Sequence, residues 1–412
     1  MLFRCLLTTI ITTISMPKAD ASYPEIIIKK NHERRLLKGH LWAFSNELVE
    51  VRKDLPAGTV VRLLREFDKK PFALAFYHPN SLISARIISR DVKIEIDKSF
   101  FKQRISDAAA KRAFLLKERN AVRLVHSESD LLPGLVIEQY NDIITFQIVS
   151  AGMEAFKDDI VAVIKELFKP KTIIEKNSSH LRTLEGLPEV EGIVFGTETT
   201  TSIYDRAGTK FDVSLLAGQK TGFYLDQMDN RVAIRRYINS KSKVLDLFCN
   251  EGGFALNAAL AGASHITAVD SSADALKGLG NNITLNNITT EIKSVKTDCF
   301  DFIRSNDEFF DLIVLDPPSL VKSKKHIPAA TKAYFDLHRA AIKRLKPNGI
   351  LVTASCSHHF GRNDLLDVIR DAGTDTARSI TILEEHGAGA DHPVHTMMPE
   401  TEYLKFFILS VA

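Results

Sequence analysis

The strand, turn and helix pattern of residues 244–261 constrains the fold of this chain more than any other stretch. Residues 244–248 form an apolar run typical of a buried strand, a turn containing Gly252 and Gly253 follows, and the segment after it has helical composition. This order is typical of the start of a nucleotide site in a doubly wound α/β domain, and glycines there let the backbone approach a ligand closely. From residue 243 onward strand and helix patterns alternate, which predicts a mainly parallel, Rossmann-like sheet of seven strands.

Acidic residues at the predicted strand ends indicate the kind of ligand. The Gly-x-Gly-x-x-Gly fingerprint of dinucleotide sites is absent, and Asp246 would repel a pyrophosphate, which disfavours a nicotinamide dehydrogenase. Asp270 lies 24 residues further on, where a carboxylate can accept hydrogen bonds from both ribose hydroxyls of a nucleoside. The pattern resembles motifs I and II of class I S-adenosylmethionine (SAM) methyltransferases. A glycine turn in a purely structural βαβ unit is the alternative.

Three further reactive residues follow predicted strands. Asp298 ends the third strand and is expected to hydrogen-bond an adenine amino group, Asp316 ends the fourth, and Cys356 ends the fifth. Because ligands of such sheets bind beyond the carboxyl ends of the strands, we expect these residues to converge with Asp246 and Asp270. For each acid, capping of the next helix is an equally good interpretation.

Cys356 and Asp316 suggest the reaction. Carbon-5 of cytosine becomes nucleophilic only after a covalent adduct forms at carbon-6, and a thiolate is the natural nucleophile for that step. We expect Cys356 to attack carbon-6 and Asp316 to hydrogen-bond the N3/N4 edge of the base. Enzymes that methylate exocyclic amines usually carry an aromatic residue after Asp/Asn-Pro-Pro, and this chain has Ser319 there. For Cys356 the alternative is a buried, small apolar residue.

The N-terminal part carries the excess of positive charge. Residues 24–97 hold 14 Lys and Arg against 10 Asp and Glu, whereas the whole chain has a net charge of only +3. Short strand patterns predict a β-barrel that resembles the RNA-binding PUA domain. Arg34, Arg35, Lys38 and His40 are candidates for phosphate contacts, with a solvated surface as the alternative; Trp42 is expected in the core. Three lysines after the Asp-Pro-Pro motif are candidates for the flanking phosphates of the target base: Lys322, Lys324 and Lys325.

The remaining segments complete a domain plan. Residues 98–200 are predicted as a central α+β domain without obvious chemistry, and residues 201–412 as the methyltransferase domain, including a β-hairpin over 203–226 whose glycine turn is expected to cover the cofactor. Residues 1–23 imitate a short signal peptide, but we interpret them as a tail or a spurious extension before Met16. Neither a membrane span nor a Cys/His metal cluster is expected, and the widely spaced cysteines suit a cytoplasmic protein.

Seven stretches, running from about residue 25 to the end, carry a resemblance to a known family. They are residues 39–47, 132–135, 219–227, 246–254, 316–318, 355–357 and 390–393. The chain resembles the family of large-subunit (23S) ribosomal RNA cytosine-C5 methyltransferases that includes ribosomal RNA large subunit methyltransferase I. Asn250 and Glu251 replace a common Tyr-Thr pair before the glycines, and Ser319 replaces a common Lys.

The resemblance implies a PUA domain, a central domain and a Rossmann-like catalytic domain that acts on ribosomal RNA as a monomer or homodimer. It implies SAM as the cofactor and Cys356 as the nucleophile. The implied cofactor-binding residues are Gln227, Asp246, Phe248, Cys249, Asn250, Gly252, Gly253, Asp270, Ser271, Asp298, Cys299 and Asp316. Two alternatives stay open: methylation of another base such as guanine, and a non-catalytic RNA-binding factor that holds SAM.

Overall fold

The computed structural model describes residues 23–216, 223–321 and 324–412. The predicted tail, the expected Gly218 to Gly222 turn and Lys322 fall wholly or largely outside these ranges. Within them the chain forms three large sheets and a separate strand pair. No helix in these ranges is both long and apolar enough to cross a membrane.

The N-terminal sheet has five strands in the order β1-β3-β4-β5-β2. The elements are β1 (Glu25–Ile28), α1 (Glu33–Leu37), β2 (Trp42–Phe44), β3 (Thr59–Arg65), β4 (Pro71–Tyr77) and β5 (Ile83–Ser89). Its apolar core includes Ile26, Leu63 and Ile87. Trp42 packs at the edge of that core and is half-buried, because its indole N–H reaches Glu128 Oε1 at 2.9 Å. The expectation of a fully buried Trp42 is therefore only partly met.

The central sheet also has five strands, in the order β10-β9-β8-β7-β6. Its elements are α2 (Lys98–Ala110), β6 (Ala121–His126), β7 (Leu135–Tyr140), β8 (Ile143–Ile148), α3 (Ala151–Glu154), α4 (Lys157–Phe168), β9 (Thr172–Asn177), α5 (His180–Leu184) and β10 (Val190–Phe195). A hairpin joins β7 and β8, and Asn141 makes its turn with φ +56°, a conformation that Asn tolerates better than most residues.

A two-stranded hairpin follows, formed by β11 (Thr200–Tyr204) and β12 (Lys210–Ser214). The turn is made at residues 205–209, where the carboxylate of Asp205 accepts the backbone N–H groups of Ala207 and Thr209, each at 2.9 Å. An Asp side chain can close a turn in this way. The turn of the predicted 203–226 hairpin, Gly218 to Gly222, lies outside the described residues.

The C-terminal sheet has seven strands in the order β15-β14-β13-β16-β17-β19-β18, and β19 is antiparallel to its neighbours. Its strands are β13 (Lys243–Leu247), β14 (His265–Asp270), β15 (Ile292–Lys296), β16 (Phe310–Leu315), β17 (Leu345–Ser355), β18 (Ile380–His386) and β19 (Lys405–Val411). The flanking helices are α6 (Met228–Ala233), α7 (Gly253–Leu260), α8 (Ala273–Leu285), α9 (Cys299–Ser305), α10 (Ile327–Arg344) and α11 (Arg362–Asp375). Strand order reverses between β13 and β16, which is where doubly wound folds bind ligands.

Candidate active site

The loop after β13 is shaped for close approach of a ligand. Phe248, Asn250 and Gly252 have φ values of +62°, +48° and +85°, so the backbone enters the left-handed region at all three residues. A Cβ on Gly253 would collide with Arg231, and one on Gly252 would collide with Leu279. Both glycines are therefore required by packing at this turn.

Asp270 fixes this loop from the neighbouring strand. One of its carboxylate oxygens accepts the Asn250 N–H and the other accepts the Ser272 N–H, each at 2.9 Å. Asp298 caps α9 by accepting the N–H groups of Phe300 and Asp301 through Oδ1. The capping interpretation thus holds for Asp298, whose side chain is nevertheless exposed at the same sheet edge, as is Ser271.

Asp246 is fully buried at the base of the loop. Its Oδ2 accepts the Ala255 N–H at 2.9 Å, while Oδ1 has no hydrogen-bond partner among the residues that the structure describes. Burial raises the pKa of Asp246 to about 8, and the nearby carboxylates of Asp316 and Asp270 add to that shift. A buried carboxyl group with an unused oxygen is suited to a cationic ligand group.

Arg231, on α6, is a site residue that the sequence did not reveal. Arg231 is 6% exposed, and its guanidinium lies 4.7 Å from the Phe223 ring centroid and packs against Gly253. Within the described part of the chain, both Nε and Nη1 lack hydrogen-bond partners, and a buried guanidinium without such partners is costly. Asp316 and Asp226 supply compensating negative charge, although burial lowers the pKa of Arg231.

The unpartnered groups of Arg231 and Asp246 fit SAM. The methionine end of SAM carries a carboxylate and an ammonium group, which match a guanidinium and a carboxylate respectively. Arg231 and Asp246 would hold this end, and the Gly252 and Gly253 backbone would lie against the cofactor. Asp270, held rigidly on two N–H groups, would accept the ribose hydroxyls.

The two cysteines predicted near the cofactor are buried. Cys299 Sγ accepts the Phe248 N–H at 3.2 Å, and the ring of Phe248 packs edge-on against Phe300 at 5.7 Å. Burial raises the pKa of Cys299 to about 12 and raises the pKa of Cys249 still further. Both thiols therefore pack the loop and are unsuited to nucleophilic attack.

Asp316, at the end of β16, is held by Gln227. The Gln227 side-chain amide donates to both carboxylate oxygens at 3.1 Å, and its own Oε1 accepts the Asn230 amide at 2.7 Å. Tyr224 lies beside this pair. Burial raises the pKa of Tyr224 to about 12, with contributions from the charges of Asp316 and Cys356.

Cys356 is half-buried after β17, and its neighbours are fixed. Ser355 Oγ lies 3.0 Å from the Tyr334 hydroxyl. Ser357 Oγ lies 3.0 Å from the Ser319 hydroxyl of the Asp-Pro-Pro loop. These contacts hold the loop with Cys356 against the loop with Asp316.

The basic residues predicted to contact RNA divide into two groups. Arg34, Lys38 and Lys325 are exposed. Arg35 instead donates to the Glu47 carboxylate at 2.9 Å and to the Trp42 carbonyl at 3.0 Å.

His40 is 5% exposed, and its Nε2 lies 3.5 Å from Glu400. Burial lowers the pKa of His40, and the positive charge of Arg35 lowers it further. The predicted phosphate contact is therefore disfavoured for His40, because the imidazole is buried where the N-terminal and C-terminal parts meet.

Arg123, on β6, brings the central segment to the active site, although that segment was expected to carry no chemistry. Its guanidinium donates to the fully buried Glu138 at 2.6 and 2.8 Å, and the backbone N–H of Arg123 donates to the Asp391 carboxylate at 3.0 Å. It lines a cavity of about 180 Å³ together with Phe223, Tyr224, Leu225, Asp226, His358 and Tyr403. No sequence pattern marks Arg123, although its partner Asp391 lies in a recognised motif.

Two family models match the chain. One describes a PUA-like domain and matches residues 26–90, and the other describes a TRM5/TYW2 methyltransferase domain and matches residues 202–341. The second match ends before Cys356, so it bears on the cofactor loop and on Asp316 but not on the thiol.

Solved structures confirm the fold. A Streptococcus mutans protein designated a SAM-dependent methyltransferase superposes with a TM-score of 0.80 at 22% identity, covering 94% of this chain and all of that one. A methyltransferase crystallised with S-adenosylhomocysteine superposes with a TM-score of 0.81 at 22% identity and the same coverage.

Curated relatives share nearly the full length. Ribosomal RNA large subunit methyltransferase I of Pseudoalteromonas translucida is 35% identical over 94% of this chain and 99% of its own length. The protein of that name from Aeromonas hydrophila is 36% identical over 93% of this chain and 98% of its own length. With its PUA-like domain, its seven-stranded sheet and a loop that fits SAM, the chain belongs to the ribosomal RNA large subunit methyltransferase I family of SAM-dependent enzymes.

Proposed function

We propose that this enzyme methylates carbon-5 of a cytosine in large-subunit ribosomal RNA, with Cys356 as a covalent nucleophile. The observation that carries the proposal is the placement of a half-buried thiol after β17, beside the Gln227–Asp316 pair after β16. Thiols buried elsewhere in the site, at Cys249 and Cys299, have raised pKa values and already serve as packing. Cys356 is thus the thiol best suited to attack a base.

The reaction follows from the roles of the two groups. The Cys356 thiolate attacks carbon-6, forming a carbon–sulfur bond and making carbon-5 nucleophilic. Asp316, oriented by Gln227, holds the N3/N4 edge and favours protonation of N3 as the adduct forms. SAM supplies the methyl group that carbon-5 accepts. A base then removes the carbon-5 proton, the carbon–sulfur bond breaks, and Cys356 leaves as the thiolate.

RNA would reach this site across the basic N-terminal surface. Arg34 and Lys38 are exposed on and beside α1, and Lys325 is exposed beyond the Asp-Pro-Pro loop. Exposed basic side chains of this kind contact phosphates without reading sequence. The target base must be unpaired or flipped out of its helix to reach Cys356.

The test measures product identity. Unmodified ribosomal RNA is incubated with methyl-labelled SAM and digested to nucleosides, and wild type is compared with Cys356→Ala and with Cys5→Ala as a thiol control outside the candidate site residues. We expect label in 5-methylcytidine, abolished in Cys356→Ala and retained in Cys5→Ala.

Two other results contradict the proposal. Label in a guanosine that survives Cys356→Ala would show methylation of another base without a covalent adduct. Absence of label from every ribosomal RNA tested, with SAM binding intact, would favour a binding factor over an enzyme acting on this RNA.

A further inference from the structure

Lys405 lies directly beneath the loop that carries Cys356. It is the first residue of β19, opposite Ser355 in the antiparallel pairing with β17. The side chain is only 8% exposed, and its Nζ donates to the carbonyl oxygens of Ser357 at 2.7 Å and Tyr403 at 2.8 Å. A buried ammonium is therefore attached to the backbone one residue beyond the thiol.

The loop cannot easily carry Cys356 away from this ammonium. Ser355 is held by the Tyr334 hydroxyl on one side of the cysteine. On the other side Ser357 is held by Ser319 and, at 3.4 Å, by the Val321 N–H. Because both flanking residues are anchored, the relation between Lys405 and Cys356 is a fixed feature of the loop.

The charges around the pair are mixed. Burial lowers the pKa of Lys405 to about 8, and negative charge at Cys356, Glu402 and Asp364 opposes that shift. Tyr224 and Tyr334 both interact electrostatically with Cys356 and with the carboxylate of Asp316. Asp316 disfavours a thiolate, so Lys405 provides the compensating positive charge.

We propose that Lys405 is a positioning residue that stabilises the thiolate of Cys356. The S–H bond breaks with its electron pair left on sulfur, the proton passes to solvent, and Lys405 keeps its own proton below about pH 8. The catalytic meaning of this assignment rests on the function proposed above, but the effect on thiol ionisation does not.

The test follows alkylation of Cys356 by iodoacetamide from pH 6 to 10 in the full chain without RNA. Cys356 labelling is read by peptide mass, and Cys356→Ala provides the background. An opposite charge at close range shifts a pKa by about 1 to 3 units. We therefore expect the midpoint of the rate profile to rise by about 1 to 3 units in Lys405→Gln, with the plateau at high pH unchanged. Lys405→Arg should keep the wild-type midpoint.

Two controls distinguish a change in the ionisation of Cys356 from misfolding and from failure of the proposed function. SAM binding confirms that each variant is folded, and Lys405→Met replaces Lys405→Gln if the latter is not. An unchanged midpoint in the folded neutral variant would overturn the proposal, because a purely structural lysine would alter stability or the plateau alone. Methyl transfer that survives Cys356→Ala would remove the covalent mechanism and leave the midpoint shift intact.

Discussion

The Ser319 hydroxyl lies 3.0 Å from the Ser357 hydroxyl, and this contact joins the loop after β16 to the loop after β17. The first loop carries Asp316 and the second carries Cys356. The sequence showed Ser319 as a departure from the Lys common in the family. In the structure it couples the two loops whose relative position determines how a base would meet the thiol.

Removing this coupling should impair turnover more than cofactor binding. Ser319→Ala loses one hydrogen bond between the loops, worth about 1 kcal/mol, so we expect kcat for methyl transfer to fall about fivefold. The KM for SAM should be unchanged, because the glycine turn and Arg231 lie elsewhere. Ser319→Thr keeps the hydroxyl and serves as the control. Equal kcat for wild type and Ser319→Ala would show that the contact has no catalytic role.

Arg231 should determine the affinity for the cofactor. A hydrogen bond to a charged group contributes about 1.5–3 kcal/mol, so Arg231→Met should raise the Kd for SAM by about 10- to 150-fold, measured by calorimetry. Arg236→Met is the matched control, since Arg236 is 60% exposed and pairs with Glu384. If both variants bound SAM like wild type, Arg231 would not contact the carboxylate.

Asp246 should make stability depend on pH. The folded chain keeps this proton up to about pH 8, whereas an unfolded Asp releases it near pH 4. Between these values the folded state binds more protons, so the free energy of unfolding falls as the pH rises. Asp246→Asn should remove the pH dependence of stability that comes from Asp246. The Tm of the variant relative to that of wild type should therefore increase from pH 5 to pH 8.

Cofactor binding should convert Asp246 from its protonated form to its ionised form. The ammonium group of SAM favours the ionised carboxylate, so binding near pH 7 should release protons in wild type and not in Asp246→Asn. Calorimetry in two buffers of different ionisation enthalpy measures this release. Binding without proton release in wild type would contradict the placement of the ammonium at Asp246.

Arg123 should matter for stability because of Glu138. Removing one partner of a buried ion pair leaves the other uncompensated and costs about 3–5 kcal/mol. Arg123→Met should lower the free energy of unfolding by about that amount in urea titration. Arg206→Met, at a 43% exposed residue paired with Asp229, should cost much less. Similar losses in both variants would contradict a special role for the buried pair.

The positions of the acids at the strand ends were predictable because the parallel strands end at one edge of the sheet. The apolar runs of β13, β14 and β16 identify parallel strands, and any polar residue that ends such a run must lie at the shared carboxyl edge. Asp246, Asp270, Asp316 and Cys356 were located by this rule, and the seven-stranded order agrees with the alternation of strand and helix patterns.

Residues that act through tertiary packing were not predictable in the same way. Arg231 is the one basic residue of α6, shortly before Arg235 and Arg236, and only the structure shows that its buried Nε and Nη1 have no hydrogen-bond partner among the described residues. Lys405 begins an apolar strand, and only the structure shows that its ammonium donates to the carbonyls of Ser357 and Tyr403. Arg123 pairs across a hairpin and reaches the C-terminal part, so a single sequence holds no local signal for it.

RNA affinity should depend on the exposed residues of the N-terminal surface and not on Arg35. Arg34→Ala combined with Lys38→Ala should weaken binding to ribosomal RNA and reduce the salt slope of log K by about 1.4, since each phosphate contact contributes about 0.7 on single-stranded RNA. Arg35→Ala should instead lower Tm, because it leaves the Glu47 carboxylate, which is 11% exposed, without its guanidinium. Filter binding at several salt concentrations and thermal denaturation separate the two effects. A reduced salt slope in Arg35→Ala with unchanged Tm would reverse the assignment and place Arg35 on the RNA, with its pairing to Glu47 broken on binding.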